Sequence, residues 1–449
     1  MNHAWTKFLP PFARNRLNGR YILQRVIANT GWLFFDHILR MAIGLFVMVW
    51  VARYLGAEGF GVLSYATAFV ALFSAFATMG LNSIVVRSIV NEPASTNETL
   101  GAAFVLKLLG GLCSLILAYT VISFMRPADT TTRWMVAIIA TGLIFQSFDT
   151  IDFWFQSQIR SKYTVYAKNA AFLLANLGKI GLIFINASVI AFAWIGLFEI
   201  IVGAVGMVVV YRINGHTLWQ LRANLNQTKK LLNDSWPLML SGIAVITYMR
   251  IDQIMLGEMI GAGAVGIYSV AVLLSGAWHF IPMAIITSVY PAIIEAKKID
   301  QALYYKRLQN LYDLMALLSI SISIPVTVFA GDIIAFLYGE SFAGAEVILS
   351  LIVWAGFFMS WGVASGQFLL TENLHTISLY RTLAGAVVNI VLNLILIPAY
   401  GITGAAIATL FSYFVAAFFV VFFEKTRQQS VMMLKSLLPV SAFKRGFYV

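Results

Sequence analysis

The sequence predicts an all-α polytopic membrane protein of two parallel halves, and three observations predict it. Apolar residues make up 60% of the 449 and charged residues only 11%, against roughly 25% charged in soluble domains. Twelve apolar stretches are each long enough to cross a bilayer as helix, which takes about 17 to 25 residues. A motif is also written twice, 205 positions apart: residues 55–66 read Leu-Gly-Ala-Glu-Gly-Phe-Gly-Val-Leu-Ser-Tyr-Ala, and residues 260–271 read Ile-Gly-Ala-Gly-Ala-Val-Gly-Ile-Tyr-Ser-Val-Ala.

The first six stretches lie at 29–52, 62–87, 100–125, 134–156, 165–186 and 189–211. They are too long and too evenly apolar for barrel strands, which are shorter and alternate in polarity. Before them, residues 1–28 carry Lys7, Arg14, Arg16, Arg20 and Arg25 without an acid. The stretch that follows has no small-residue cleavage site and is too long for a signal peptide, so it stays as span one. Residues 212–235, with Arg222, Asn224, Asn226, Gln227, Lys229 and Lys230, read as a polar linker with an amphipathic stretch on the cytoplasmic surface. The second six stretches follow at 236–256, 264–290, 311–329, 347–370, 379–397 and 404–423. Between two of them, 331–345 holds Asp332 and Glu340 and reads as a short interfacial helix on the outer side. The expected domains are an N-terminal lobe, 1–228, and a C-terminal lobe, 229–449.

Charge placement sets the orientation. With the N-terminus in the cytoplasm, 23 of the 30 lysines and arginines fall on that side, Arg87, Lys168 and Arg381 among them; only Arg53, Arg126 and Arg133 face outward. Both termini are therefore expected in the cytoplasm, in a cytoplasmic (inner) membrane. The net charge of +11 is read as a topology signal and an attraction to anionic lipid, not as a nucleic-acid surface. An even number of spans separates the two copies of the motif, so both halves enter the bilayer the same way, as a parallel repeat about an axis along the membrane normal. A second echo agrees: Asn169, Asn176 and Ile180 in span five correspond, 213 positions on, to Thr382, Asn389 and Asn393 in span eleven. The single cysteine, Cys113, leaves neither a disulfide nor a thiolate metal site.

Function must come from the ionisable groups inside the spans: Arg40, Lys107, Lys179 and Arg250 against Asp36, Asp149, Asp152, Glu199 and Asp252. Each would cost about 2.5 to 3.5 kcal/mol at the centre of a lipid-facing helix, so they face a wet cavity or one another. Asn29, Asp36 and Arg40 share one face of span one. There Asp36 and Arg40 form either a self-neutralised i,i+4 pair or a cavity cation whose partner releases it to an anion. Gln146, Asp149, Asp152 and Gln156 make a polar stripe about 120° wide, a candidate proton or cation site or a set of partners for Lys107 or Lys179 across the bundle. Arg250 and Asp252 stand about 200° apart on their helix and cannot serve each other. Ser241, Tyr248 and Asp252 share a stripe, as do Tyr268, Ser275 and His279; His279 titrates near neutrality or is a satisfied core histidine. Lys and Arg recognise phosphate by charge-assisted hydrogen bonds, so Arg40, Lys107, Lys179 and Arg250 are candidates to cradle a pyrophosphate head group. Asp36, Asp149, Asp152, Asp252 and His279 are candidates for ion coupling or cavity ion pairs.

The chain resembles the Wzx-type oligosaccharide flippases, in the superfamily that also holds the multidrug and toxin extrusion transporters and the lipid II flippase. The resemblance is carried by Val51-Ala52-Arg53-Tyr54-Leu55-Gly56-Ala57-Glu58-Gly59-Phe60-Gly61, by Gly80-Leu81 and Val85-Val86-Arg87, by Asp252 to Gly257, by Gly266-Ile267-Tyr268, and by Gly401 to Ala406. It implies two six-helix lobes around a central cavity. It also implies transfer of a polyprenyl-pyrophosphate-linked glycan between leaflets of the lipid bilayer, a polysaccharide polymerase or assembly machinery as partner, and no cofactor beyond an H⁺ or Na⁺ coupling ion. A cation-coupled drug antiporter shares the architecture but favours an acidic cavity. A membrane glycan polymerase or glycosyltransferase needs a sizeable outer loop with catalytic groups, for which 331–345 is the one short candidate.

Overall fold

The computed structural model describes residues 21–437, with side-chain surroundings from His37 onward, His375 excepted. Regular structure among them is helical throughout, as lipid requires of an open chain whose peptide groups must satisfy one another. The first half comprises α1 (Tyr21–Thr78), α2 (Asn82–Asn91), α3 (Thr96–Met125), α4 (Thr130–Phe145), a 3₁₀ turn over Gln146–Asp149, α5 (Thr150–Ser157), α6 (Lys162–Phe184) and α7 (Val189–Ile213). The second comprises α8 (Leu225–Met259), α9 (Ala262–Gly276), α10 (Phe280–Ile299), α11 (Gln301–Val328), α12 (Ala330–Tyr338), α13 (Ala345–Thr371), α14 (His375–Phe418) and α15 (Arg427–Ser436).

Nine helical stretches among the described residues are long and apolar enough to cross a membrane. Two of these each contain two of the stretches read from the sequence, because α1 and α14 are merely broken, at Gly56 (φ 66°) and Gly401 (φ 59°). α6, over span five, is not among the nine: Lys168, Asn169, Asn176 and Lys179 dilute its apolar character.

The polar linker differs from expectation. Its second part is no separate surface element but the start of α8, so Lys229, Lys230 and Asp234 lie on the same helix as Arg250 and Asp252. Nucleating a helix is the costly step and extending one is cheap, so a polar segment abutting an apolar span continues it. The linker is tied to the start of α3 by Arg222 N donating to Asn97 O (3.2 Å), Asn224 to Glu98 (3.0 Å) and Gln227 to Thr99 (2.8 Å).

The chain forms two compact units, one of Met1–Val47 with Phe73–Met239, the other of Met48–Leu72 with Leu240–Val449. The sequence boundary at 228/229 falls inside α8, and the first copy of the repeated motif belongs to the second unit. Each unit has its own core, built on Leu81, Val85, Leu100, Phe155 and Tyr211 in the first and on Ile293, Tyr312, Met315, Trp361 and Met433 in the second.

Within the second unit the two motif copies pack on each other reciprocally. A Cβ on Gly61 would lie 1.7 Å from the Ala262 carbonyl oxygen, and one on Gly266 would lie 1.9 Å from that of Ala57. Gly61 and Gly266 are the same motif position, and so are Ala57 and Ala262. Such an exchanged contact is the mark of a local two-fold relation, as a parallel repeat requires. Gly56 and Gly261 begin the two turns with φ of 66° and 128°, where an L side chain is strained.

Candidate functional site

In the first unit, α3, the turn before α5, α5 itself and α6 bring together two lysines and two aspartates. Lys107, with a side chain only 1% exposed, pairs with Asp149 at 3.8 Å and lies over the Phe153 ring at 5.0 Å. Lys168 reaches Asp149 at 3.3 Å and Asp152 at 2.9 Å. Asp149 ends the 3₁₀ turn at Gln146–Asp149 and Asp152 lies in the first turn of α5; residues three apart on a helix are neighbours on its surface, so both carboxylates reach one ammonium. The quartet is neutral, so each charge is held against its opposite. Lys179 and Glu199 form a further pair at 3.7 Å. A cavity of about 200 Å³ opens beside the quartet, lined by Arg40, Gln146, Asp149, Lys168 and Glu199 together with Phe145, Phe148 and Met207. The Arg40 guanidinium stacks at 5.1 Å from the Phe172 ring. The expected Asp36 partner lies outside the residues whose side chains are described.

The second unit is organised around a buried carboxylate. Asp252 is 3% exposed. One of its oxygens accepts from the Tyr268 hydroxyl (2.7 Å) and the Thr409 hydroxyl (2.6 Å), the other from Asn393 Nδ2 (2.8 Å). Asn393 Nδ2 also reaches Asn389 Oδ1 (3.1 Å), and Asn389 donates to Ser412 (3.3 Å). All of these partners are neutral. α8, α9 and both halves of α14 contribute, so the second echo of the repeat, at Asn389 and Asn393, is absorbed into this site. Its first-half counterpart is not: Asn176 donates to Phe172 O of its own helix at 2.7 Å, and Ile180 has no polar group.

Several readings from the sequence change. Asp149 and Asp152 do sit together, but with Lys168 between them, and Lys107 joins through Asp149. Of the stripe Tyr268, Ser275 and His279, the first two lie on α9 and His279 lies in the tight turn between α9 and α10. Ser275 donates to Ile352 O instead (3.3 Å), and His279 Nε2 is enclosed beside Gly356 with no hydrogen-bond partner. Arg250 and Asp252 do not pair with each other, as their angular separation predicts, and among the described residues Arg250 makes no ion pair elsewhere either. The charge count puts Lys168 and Arg381 on the cytoplasmic side, and each is the seventh residue of its helix, α6 or α14. Both already fell inside spans five and eleven as drawn from hydropathy, and that overlap was the available clue. Asp313, two residues into span nine, is likewise buried, and accepts from Gln309 at 2.8 Å. Among the described residues no group of three or more His, Cys, Asp or Glu side chains is placed to hold a metal.

Long apolar helices whose charges converge on an internal cavity define a membrane transporter. Residues 26–297 match the family described as polysaccharide biosynthesis protein; the chain belongs to that family and is a multi-pass membrane transporter of the flippase class. It is 26% identical over 385 residues to "Probable flippase AglR" of Haloferax volcanii, covering 84% of this chain and 78% of that one. With "Capsular polysaccharide biosynthesis protein CapF" of Staphylococcus aureus it shares 19% over 413 residues, covering 89% and 99%. Its fold is similar to that of "Lipid II flippase MurJ, inward closed conformation", with a TM-score of 0.71 at 15% identity, covering 93% of this chain and 92% of that one. A multidrug resistance MATE family transporter in its inward-facing conformation gives 0.67 at 15%, covering 91% and 96%.

Proposed function

We propose that the protein moves a polyprenyl-pyrophosphate-linked oligosaccharide from the cytoplasmic to the outer leaflet by alternating access, for cell-surface polysaccharide synthesis. It acts in the cytoplasmic membrane with both termini in the cytoplasm, alongside a polysaccharide polymerase or assembly machinery, and it is not an enzyme. The observation that carries the reading is the first-unit cavity: Arg40 and Lys168 supply cations, Gln146 an amide donor for sugar hydroxyls, and Phe145, Phe148 and Met207 an apolar wall. A head group of phosphates and sugars needs that mixture, while the polyprenyl tail stays in lipid. The names of the relatives support it.

Neutralising Arg40, Lys107, Lys179 and Arg250 in turn tests the reading. Glycan export in a strain lacking the wild-type gene is expected to stop while protein levels hold. Normal export by all four variants would rule out the cationic cradle.

Coupling to an H⁺ or Na⁺ gradient belongs to the same reading. Of the acids considered, Asp36, Asp149, Asp152 and Asp252, the last is the strongest candidate. Among the three of these whose side chains are described, it is the one buried among neutral oxygen and amide groups that can rearrange around a proton or a small hard cation. Translocation in proteoliposomes should accelerate under an imposed H⁺ or Na⁺ gradient; indifference to both gradients removes the coupling.

A further inference from the structure

The second unit repeats the frame of the first-unit quartet with different chemistry. α6 and α14 begin 213 positions apart, at Lys162 and His375, and the same offset carries Lys168 onto Arg381. It also carries the two acids that Lys168 binds, Asp149 and Asp152, onto Gly362 and Ser365. α3 and α11 begin 205 apart, at Thr96 and Gln301, which sets Tyr312 in the place of Lys107. The correspondence is physical as well as arithmetic. Arg381 Nη2 donates to Gly362 O at 2.9 Å, and Tyr312 lies within electrostatic range of the guanidinium. The second half kept one cation and has neither acid.

Arg381 makes no ion pair among the described residues, and its Nη1 is enclosed and donates to nothing. A Cβ on Gly366 would lie 3.2 Å from Nη2, so the group rests closely against α13. An enclosed N–H without an acceptor is costly, more so when it carries charge. Arg250 also makes no ion pair. It lies within electrostatic range of Tyr413, whose ring centre is 4.5 Å from that of Tyr248, and Tyr248 in turn lies within electrostatic range of Arg381. The nearby carboxylate, Asp252, is engaged by Tyr268, Thr409 and Asn393.

We propose that Arg381, with Arg250 beyond the Tyr248 and Tyr413 rings, forms a second-unit site for a lipid-linked pyrophosphate. The planar guanidinium forks onto phosphate oxygens, and the anion supplies the countercharge that Asp149 and Asp152 supply to Lys168. The assignment rests on the flippase reading and adds to it a residue, Arg381, outside the cavity described above.

The test uses the full chain in detergent, with farnesyl pyrophosphate as probe and farnesol as its uncharged control. Arg381→Gln should weaken farnesyl pyrophosphate binding at least tenfold and leave farnesol unchanged, with Arg381→Lys in between. Gly362→Asp restores the acid of the first half at a position where a Cβ meets nothing within 4 Å. It should weaken the pyrophosphate similarly, and Gly362→Asn should not. Equal binding by Arg381→Gln and the wild type, or equal effects of Gly362→Asp and Gly362→Asn, overturns the proposal while the flippase reading stands. A wild type blind to farnesyl pyrophosphate overturns both. Repeating the titration in phosphatidylglycerol and phosphatidylcholine nanodiscs separates the sources of phosphate. If phosphatidylglycerol competes only where Arg381 is present, the ligand is a bilayer phospholipid and the pyrophosphate assignment fails.

Discussion

In the first unit the buried charges answer one another, whereas in the second they answer hydroxyls, amides and a backbone carbonyl. Lys107 and Lys168 share Asp149 and Asp152; Asp252 and Arg381 have only neutral partners. Yet the frame is common to both: helix starts in register, and a cation at the seventh position of α6 and of α14. Duplication preserved the places where backbones meet and let the charges diverge. In a self-neutral cluster each charge already has its countercharge before any ligand arrives. Groups without countercharge among the described residues are open to one from outside, and the proposals above assign a proton or cation to Asp252 and an anion to Arg381.

Breaking the first-unit balance gives the largest expected effect. Asp149→Asn leaves Lys107 buried with no carboxylate within ion-pair distance, and orphaning one member of a buried pair costs about 3 to 5 kcal/mol. Because Asp149 is itself 39% exposed, the loss should fall near the bottom of that range. It is read as a drop in thermal unfolding temperature in detergent, and Lys107→Met with Asp149→Leu should recover most of it. The same change to asparagine at the equivalent second-unit position, Gly362→Asn, should scarcely move the transition. Similar losses at the two positions would mean that the halves are not electrostatically distinct.

This asymmetry was only partly legible in the sequence. Apolar stretches show the helical class, and the register of the glycine motif anticipates the reciprocal packing of its two copies, because both depend on local composition. The Lys107 and Asp149 partnership was open as one of several, since periodicity gives the face of a helix but not which neighbour it meets. Lys168 and Arg381 carry a different lesson: counting cations by side with the positive-inside rule treats every cation near a span end as solvated. A lysine or arginine seven residues into a helix is about 10 Å along it, far enough to meet a carboxylate on the next helix. The Asp252 network was unreadable in full because its members come from residues 252, 268, 389, 393 and 409, joined only by tertiary packing.

A second perturbation sharpens the comparison from the other side. Asp252→Asn keeps the shape of the side chain but removes the charge that three donors stabilise. Hydrogen bonds to a charged group contribute about 1.5 to 3 kcal/mol, and the amide retains part of this, so a loss of about 2 kcal/mol is expected. The functional change should be the more specific one: transport by Asp252→Asn in proteoliposomes becomes insensitive to an imposed H⁺ or Na⁺ gradient. Asp149→Asn, where enough folded protein is recovered, should keep that sensitivity. The reverse pattern would move the coupling to the first unit.

The smallest effect concerns helix ends, where the halves also diverge. Asp129 caps α4, accepting from Thr132 N at 2.9 Å and Thr132 Oγ1 at 2.6 Å, while α13 in the second half begins after Gly344 without a side-chain cap. Burial alone would raise the Asp129 carboxyl, but Thr132 and Arg126 outweigh it and hold the group below the usual carboxylate range. A carboxyl depressed by folding stabilises above its unfolded pKa, about 3.9, and that contribution is lost as pH falls through the folded value. Asp129→Ala should therefore cost about 1 kcal/mol near pH 7, and the gap from wild type should narrow below about pH 4. Glu346→Ala removes only the exposed bond from Gly344 N (2.9 Å), worth about 0.5 kcal/mol. If the two variants shift unfolding equally at pH 7, or if the Asp129→Ala gap is flat with pH, the capping difference between the halves carries no energy, and their divergence is confined to the buried charges.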